Sequence, residues 1–324
     1  MWWPLSLLSP PSSPFDPPSL PSLLLTSPLH LLSTLLHTTI SHLRCAPVPF
    51  SPSIRIICIS DTHTHTYPLP AGDLLIHAGD LTNAGTVAEI QAQIDWLDGL
   101  PHKRKIAIAG NHDTFLDPRS RATLAAEDVK GGLDWKSVVY LQHNTATLTF
   151  PKHNNRKVNV YGAPQIPQCG GSEFAFQYER GLDAWTDTVP RNTDVLVTHT
   201  PPKYHRDLQA GLGCEWLLKE VWKVKPLLHV CAHCHVGAGR EYLYWDQAQI
   251  IYETLRAKPA RGLLREMFDL RGWWRLLWMV LYDLSGVLWD RVWGGEQERT
   301  ALVNAALMYN NSGKLGNKVQ VVDI

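Results

Sequence analysis

The chain has 324 residues, with 30 Lys+Arg balancing 30 Asp+Glu. That length allows one large domain, or one domain with appendages, and the zero net charge excludes a global field that would steer nucleic acid or anionic lipid. Six cysteines, at 45, 58, 169, 214, 231 and 234, show no disulfide-framework spacing and read as reduced thiols of an intracellular, cytoplasmic protein.

Residues 1–50 hold ten prolines and many Ser, Thr and Leu, with only Asp16 and Arg44 charged. Prolines interrupt the leucine runs before they could span a bilayer, and neither a basic signal n-region nor an Arg-rich transit pattern is present. The segment reads as a disordered low-complexity tail. A globular pattern begins near residue 51 and continues to 324. Ile54–Ile59, Asp73–Ala78 and Lys105–Ala109 are short apolar runs, as in strands buried on both faces. Val87, Ile90, Ile94 and Leu97 recur at helical spacing between the last two, which predicts a crossover helix. Further strands are predicted at Val138–Leu141, Val158–Tyr161, Asp194–Thr198 and Leu227–Cys231, with a helix from about Gly213 to Trp222. Alternating strands and helices argue for a layered α/β fold, whose ligands gather beyond the strand ends.

Five motifs fall at those ends: Asp61-Thr62-His63, Gly79-Asp80, Gly110-Asn111-His112-Asp113, Thr198-His199-Thr200 and His233-Cys234-His235. Together they supply Asp, Asn and His ligands enough for two divalent metals, of the kind that takes Mn, Fe, Zn or Co. One carboxylate between two cations holds them about 3.5–4 Å apart, the spacing that clamps a phosphoryl group. Cys231-Ala-His-Cys234 imitates a C-x-x-C knuckle, but no second pair completes a zinc site. His77 and His229 lie within strands and read as core histidines, whereas His65 comes just after the first metal turn and could support it from behind.

The order of these motifs resembles the calcineurin-like metallophosphoesterase superfamily. The longer stretches Ser60-Asp-Thr-His63, Gly72–Asn83, Leu100-Pro-His102, Ala109–Asp113 and Thr198-His-Thr-Pro-Pro202 are similar to metallophosphoesterase-domain-containing proteins related to class III cyclic nucleotide phosphodiesterases. The resemblance runs from about Ile54 to Trp245 and resumes over about 302–324. It implies a four-layer α/β/β/α sandwich. It also implies that Asp61, His63 and His235 bind one metal, that Asn111, His199 and His233 bind the other, and that Asp80 bridges them. A metal-bridging hydroxide would be the nucleophile, Asn111 would help neutralise the phosphoryl oxygens, and His112 would be the general acid.

Where the superfamily often shows G-D-x-x-D-R-G, this chain reads Gly79-Asp-Leu-Thr-Asn-Ala-Gly85. Asn83 therefore stands where a carboxylate would orient the catalytic histidine, and Ala84 stands where an arginine would clamp phosphate. Both changes point away from a phosphomonoester dianion and toward a small phosphodiester. Ala232 replaces the usual glycine before the last H-x-H. His205 matches a position the subgroup also fills with histidine, and with Asn83 it is a candidate substrate contact.

Residues from about 246 to 300 form a segment that the subgroup lacks, with five of the thirteen tryptophans. Read as a helix, it places Arg261, Arg265, Asp269, Gly272, Arg275, Asp283, Gly286 and Asp290 on one narrow polar stripe against a wide apolar surface. A helical hairpin packed on the core, a membrane-interface helix, and a lid or protein-binding surface over 261–293 are its three competing uses. The functional expectation is a metal-dependent phosphodiesterase, manganese being the first metal to try and cyclic nucleotides the first substrates. The alternatives are a broad phosphomonoesterase and a metal-binding scaffold for protein interaction. No basic stripe supports extended nucleic-acid binding.

Overall fold

The computed structural model describes residues 17–45, 49–208, 211–295, 298–310 and 312–324. The chain divides into two compact units, one of Val48–Glu241 with Ala301–Ile324 and one of the described residues before 48 with Tyr242–Thr300.

In the larger unit, β1 (Arg55–Ile59), β2 (Leu74–Ala78), β3 (Arg104–Ile108) and β4 (Val138–Tyr140) are the short apolar runs, paired in parallel. Parallel neighbours require crossovers, and α3 (Val87–Gly99) supplies the one between β2 and β3. Thr86 caps α3 by accepting the Glu89 N–H, and the face predicted as apolar, Ile90, Ile94 and Leu97, packs on Ile57, Ile59, Leu75 and Val138. Strand β13 (Gln320–Asp323) closes this sheet antiparallel to β1, giving the order β13-β1-β2-β3-β4.

A second sheet is built from β5 (Asn144–Phe150), β6 (Arg156–Ala163), β9 (Val195–Thr198), β10 (Leu228–Cys231), β11 (Gly239–Tyr244) and β12 (Arg299–Asn304), in the order β11-β12-β10-β9-β6-β5. Helix α5 (Glu215–Val224) is the crossover from β9 to β10 and buries Leu217, Leu218 and Val221. The Thr-rich edge strand β5 lacks the continuous apolar run of a central strand, so the sequence did not announce it. The remaining pieces are the single turn α4 (Pro118–Arg121) and a small ribbon of β7 (Ile166–Pro167) and β8 (Gln177–Tyr178). The sheets approach closely where Gly162 of β6 faces the first sheet. A Cβ there would lie 2.5 Å from Leu141 Cβ and 2.7 Å from Ile108 Cγ2. This is the layered α/β/β/α architecture that the family resemblance implied.

The smaller unit corrects one expectation. Residues 1–16 of the predicted disordered tail lie outside the described residues, but Leu20–Thr26 (α1) and Pro28–Ser41 (α2) are helical. Pro21 and Pro28 do not break these helices because each sits in a first turn, where the missing N–H has no partner to lose. Their leucines find a core as well. Leu29 packs with Tyr252 and Leu255 of α6 (Gln247–Arg256) and with Leu276 and Met279 of α8 (Leu270–Arg291). The short α7 (Leu263–Met267) contributes Glu266, whose carboxylate accepts the Leu29 N–H at 2.9 Å.

The polar stripe predicted from Arg261 to Asp290 is broken between α7 and α8, and most of its α8 part faces inward. Gly272, Asp283, Gly286 and Asp290 are buried, whereas Arg265 and Arg275 are exposed. Asp283 meets His37 at 2.9 Å, and that ring stacks on Tyr252. The buried Arg44 reaches Asp246 at 2.7 Å and Asp290 at 3.2 Å, with Tyr244 beneath its guanidinium. A side chain at Gly286 would strike that guanidinium, because its Cβ would lie 2.7 Å from Arg44 Cζ.

Candidate metal centre

The five motifs converge at the C-terminal ends of β1, β2, β3, β9 and β10, all in the larger unit. Asp61 and Asp80 each stand two residues past their strand. Asp61, His63, Asp80 and His233 all adopt left-handed backbone, with φ of +51°, +46°, +53° and +66°. A non-glycine residue held there carries about 1–3 kcal/mol of strain, which sites of function commonly store. Cross-links hold the turns in place: Asp61 N–H donates to Gly79 O at 3.0 Å, and His63 N–H to Asp80 O at 3.2 Å.

All seven predicted metal ligands come together. The ligand atoms of Asp61, His63, Asp80 and His235 lie within 4.8 Å of one another, as do those of Asp80, His199 and His233, so that Asp80 belongs to both groups. Asn111 joins the second group, its Oδ1 being 3.1 Å from His199 Nε2. Asp61 and Asp80 are almost wholly enclosed.

These residues fit a divalent cation on three grounds. The donor set mixes carboxylate oxygen, amide oxygen and imidazole nitrogen, which suits Mn, Fe, Zn or Co. His63 Nε2 is buried and has no hydrogen-bond partner among the described residues. Finally, His199 Nδ1 lies 2.9 Å from Ala78 O, and His235 Nδ1 is held by Asn310 O at 2.6 Å. With Nδ1–H donating to a carbonyl, each Nε2 keeps its lone pair turned toward the carboxylates.

The electrostatics agree. Burial alone would raise the Asp61 carboxyl, but His235 and His199 outweigh it and hold it down at about 2. Asp80 is likewise held well below the usual carboxylate range, its burial being overcome by His199, His112 and His63. Burial opposes the charge on His199, yet Asp80 and Asp61 push it up to about 9. Burial brings His233 down to about 3 and also lowers His63. The field of the pocket therefore calls for positive charge, which without a metal it draws onto His199 and His235.

His112 stands beside this cluster, its ring edge-on to His63 at 4.8 Å and to Phe174 at 4.9 Å between centroids. Its orientation corrects the reading of Asn83. The imidazole Nδ1–H donates to the backbone carbonyl of Asn83 at 3.0 Å, while the Asn83 amide turns away to donate to His63 O at 3.2 Å. A main-chain carbonyl thus fixes the ring, whatever side chain position 83 carries. In place of the missing arginine, the Ala84 and Gly85 N–H groups donate to Glu89. Ala232 is accommodated because the left-handed turn falls on His233, one residue later.

His205 and His65 behave differently from the ligands. His205 is 2% exposed, with Nδ1 2.9 Å from Glu241 Oε1, and belongs to neither ligand group. His65 is exposed and faces Gly313 O at 3.2 Å. Cys231 and Cys234 are free and fully buried, and burial pushes both thiols well up, which leaves them unreactive.

Several supports were missed in the sequence. The Asp113 carboxylate accepts N–H groups from Gly110 at 2.7 Å, Thr82 at 3.1 Å and Leu81 at 3.3 Å, tying the Asn111 turn to the Asp80 turn. Asn304, buried at the end of β12, donates to Cys234 O at 2.9 Å and so anchors the His233–His235 turn. The two strand histidines are satisfied in the core, as expected: His77 holds Thr62 at 3.0 Å, and His229 holds Thr198 at 2.9 Å. A polar residue at or just past the end of a buried strand was the available signal for Asn304. Gly110 is equally constrained, since a Cβ there would fall 2.2 Å from Asp80 Oδ1 and 2.7 Å from His199 Cε1. Gly110→Ala should therefore lose metal while keeping the fold, read as metal content by mass spectrometry beside an unchanged circular dichroism spectrum.

Comparison with known proteins places this geometry. The family model for calcineurin-like phosphoesterase matches residues 54–237. A protein of Emericella nidulans called probable rhamnogalacturonate lyase C is 41% identical over 255 residues, 78% of this chain but 23% of that protein. Human metallophosphoesterase domain-containing protein 1 is 36% identical over 203 residues, 57% of this chain and 61% of that one. A UPF0046 protein of Caenorhabditis elegans is 36% identical over 205 residues, 59% of this chain and 72% of its own length. The chain thus spans under a quarter of the first relative and about three fifths of the second. With the family model covering more than half of its residues, the chain belongs to the calcineurin-like phosphoesterase family.

Proposed function

We propose that this protein is a metal-dependent phosphoesterase that hydrolyses a small phosphodiester. The observation that carries the reading is the sharing of Asp80 between two ligand groups, with His112 at their edge. Asp61, His63 and His235 would hold one cation, and Asn111, His199 and His233 the other. When bound, the cations supply an activated water and neutralise charge on the phosphoryl oxygens.

The protein's own residues do the rest. His112 donates a proton to the leaving oxygen, and the Asn83 carbonyl and the Phe174 ring hold its imidazole in place for that transfer. Asp113 fixes the backbone from which both Asn111 and His112 project. The diester preference rests on charge. No arginine faces the site from position 84, and the carboxylate of Glu89 caps that loop instead, which disfavours the second negative charge of a monoester.

The test is turnover of bis(p-nitrophenyl) phosphate beside p-nitrophenyl phosphate, on metal-stripped protein with Mn²⁺ restored. Manganese-dependent cleavage of the diester, at least about tenfold faster than the monoester, supports the proposal and leads next to cyclic nucleotides. A faster monoester overturns the diester preference. Two bound metals with no turnover of either overturns the enzyme reading in favour of a binding scaffold.

A further inference from the structure

The outward face of α8 is apolar, and its charged acids lie on the buried face beside Leu276 and Met279. Trp274, Trp278, Leu281, Leu284 and Trp289 are all exposed, Trp274 to 59%, while Asp283 and Asp290 are buried against His37 and Arg44. A surface helix in water carries its charged residues on the outward face instead. Charges that are buried and paired beneath an apolar exterior are the arrangement a hydrocarbon surround requires.

The exposed charges are almost all basic. Arg261, Arg265, Arg271, Arg275 and Arg291 are exposed, and Glu298 is the one exposed acid among the described residues of this unit. Their placement is ordered too. From Leu277 to Trp289 every exposed side chain of α8 is uncharged, and Arg271 and Arg275 precede that stretch while Arg291 comes after it. At the helical rise, thirteen residues give about 20 Å of apolar face between basic ends. No single described helix is long and apolar enough to cross a membrane.

We propose that the outward face of α8 inserts into one leaflet of an anionic lipid bilayer. Its tryptophans and leucines sit at the boundary between headgroups and acyl chains, and the bracketing arginines lie against lipid phosphates. A second copy of the chain is a poorer occupant, because self-association of this face would set arginines against arginines with almost no exposed acid to answer them.

The test uses the full chain, synthesised cell-free with vesicles present and floated through sucrose. Vesicles of phosphatidylcholine alone are compared with equimolar phosphatidylcholine and phosphatidylserine. The expected result is flotation with the mixed vesicles, reduced by high salt and reduced at least about tenfold by W274S/W278S/W289S. These positions are exposed, so the variant should keep its helical circular dichroism. The R271Q/R275Q variant removes charge and little apolar surface, and should lose the preference for the mixed vesicles. Wild-type flotation by both variants overturns the proposal. So does a soluble chain that ignores both vesicle types, whether monomeric or, by light scattering, dimeric through this face.

Discussion

Replacing Asp80 by asparagine is expected to empty the whole site at once. Its carboxylate is the one group common to both ligand clusters, so loss of its charge weakens both. Asparagine keeps the shape, and its amide oxygen can still accept the His112 N–H that now reaches Asp80 Oδ1 at 2.8 Å. The variant should therefore fold with its turns intact. Two readouts check this. Metal content should drop from about two ions per chain to less than one, and Mn²⁺ should no longer raise the melting temperature. In the wild type the expected rise would come from linkage, about 2.7 kcal/mol at a hundredfold excess over the dissociation constant. Diester turnover should fall by roughly three orders of magnitude or more, since without the cations the water is no longer activated. Asp61→Asn offers the contrast, because Asp61 belongs to the first group alone. If Asp80→Asn still binds two ions, the bridging role assigned to Asp80 is wrong.

The site was legible in the sequence because each ligand comes directly after a short apolar run, and buried parallel strands deliver the residues just past them to one end of a sheet. The chemistry that depends on main-chain atoms was not legible. Asn83 was read for its side chain, yet its carbonyl is the group His112 uses. Ala78 and Asn310 set the tautomers of His199 and His235 through carbonyls that any residue would provide. Asp113 stood inside a motif, but its role is to collect three backbone N–H groups, which only the folded turn brings together. The helical unit hid for another reason. Its buried partners His37 and Asp283 are 246 positions apart, as are Arg44 and Asp290, so that neither segment alone shows the purpose of its polar groups. Read by itself, the Leu- and Pro-rich start of the chain had no core to join, and the Trp-rich segment had no reason to turn its aspartates inward.

His112→Ala should separate binding from chemistry. His112 belongs to neither ligand group, and its side-chain hydrogen bond goes to an exposed loop carbonyl, so metal content and melting temperature should stay near wild type. Turnover of a diester with an alkoxide leaving group should fall about 10²–10⁴-fold, the usual worth of a positioned general acid. The loss should shrink as the leaving group improves. A p-nitrophenolate is stable without a proton, so bis(p-nitrophenyl) phosphate needs the imidazole far less than a nucleoside alkoxide does. The ratio of the two losses is therefore the diagnostic quantity. If His112 protonates the leaving oxygen, the variant's defect is large on the alkyl diester and small on the activated one. If His112 instead orients substrate or the cations, both substrates suffer alike. Phe174→Ala removes a neighbour of the ring without touching its nitrogens, and should reproduce the same substrate dependence at smaller amplitude, because it loosens the imidazole and leaves the acid in place.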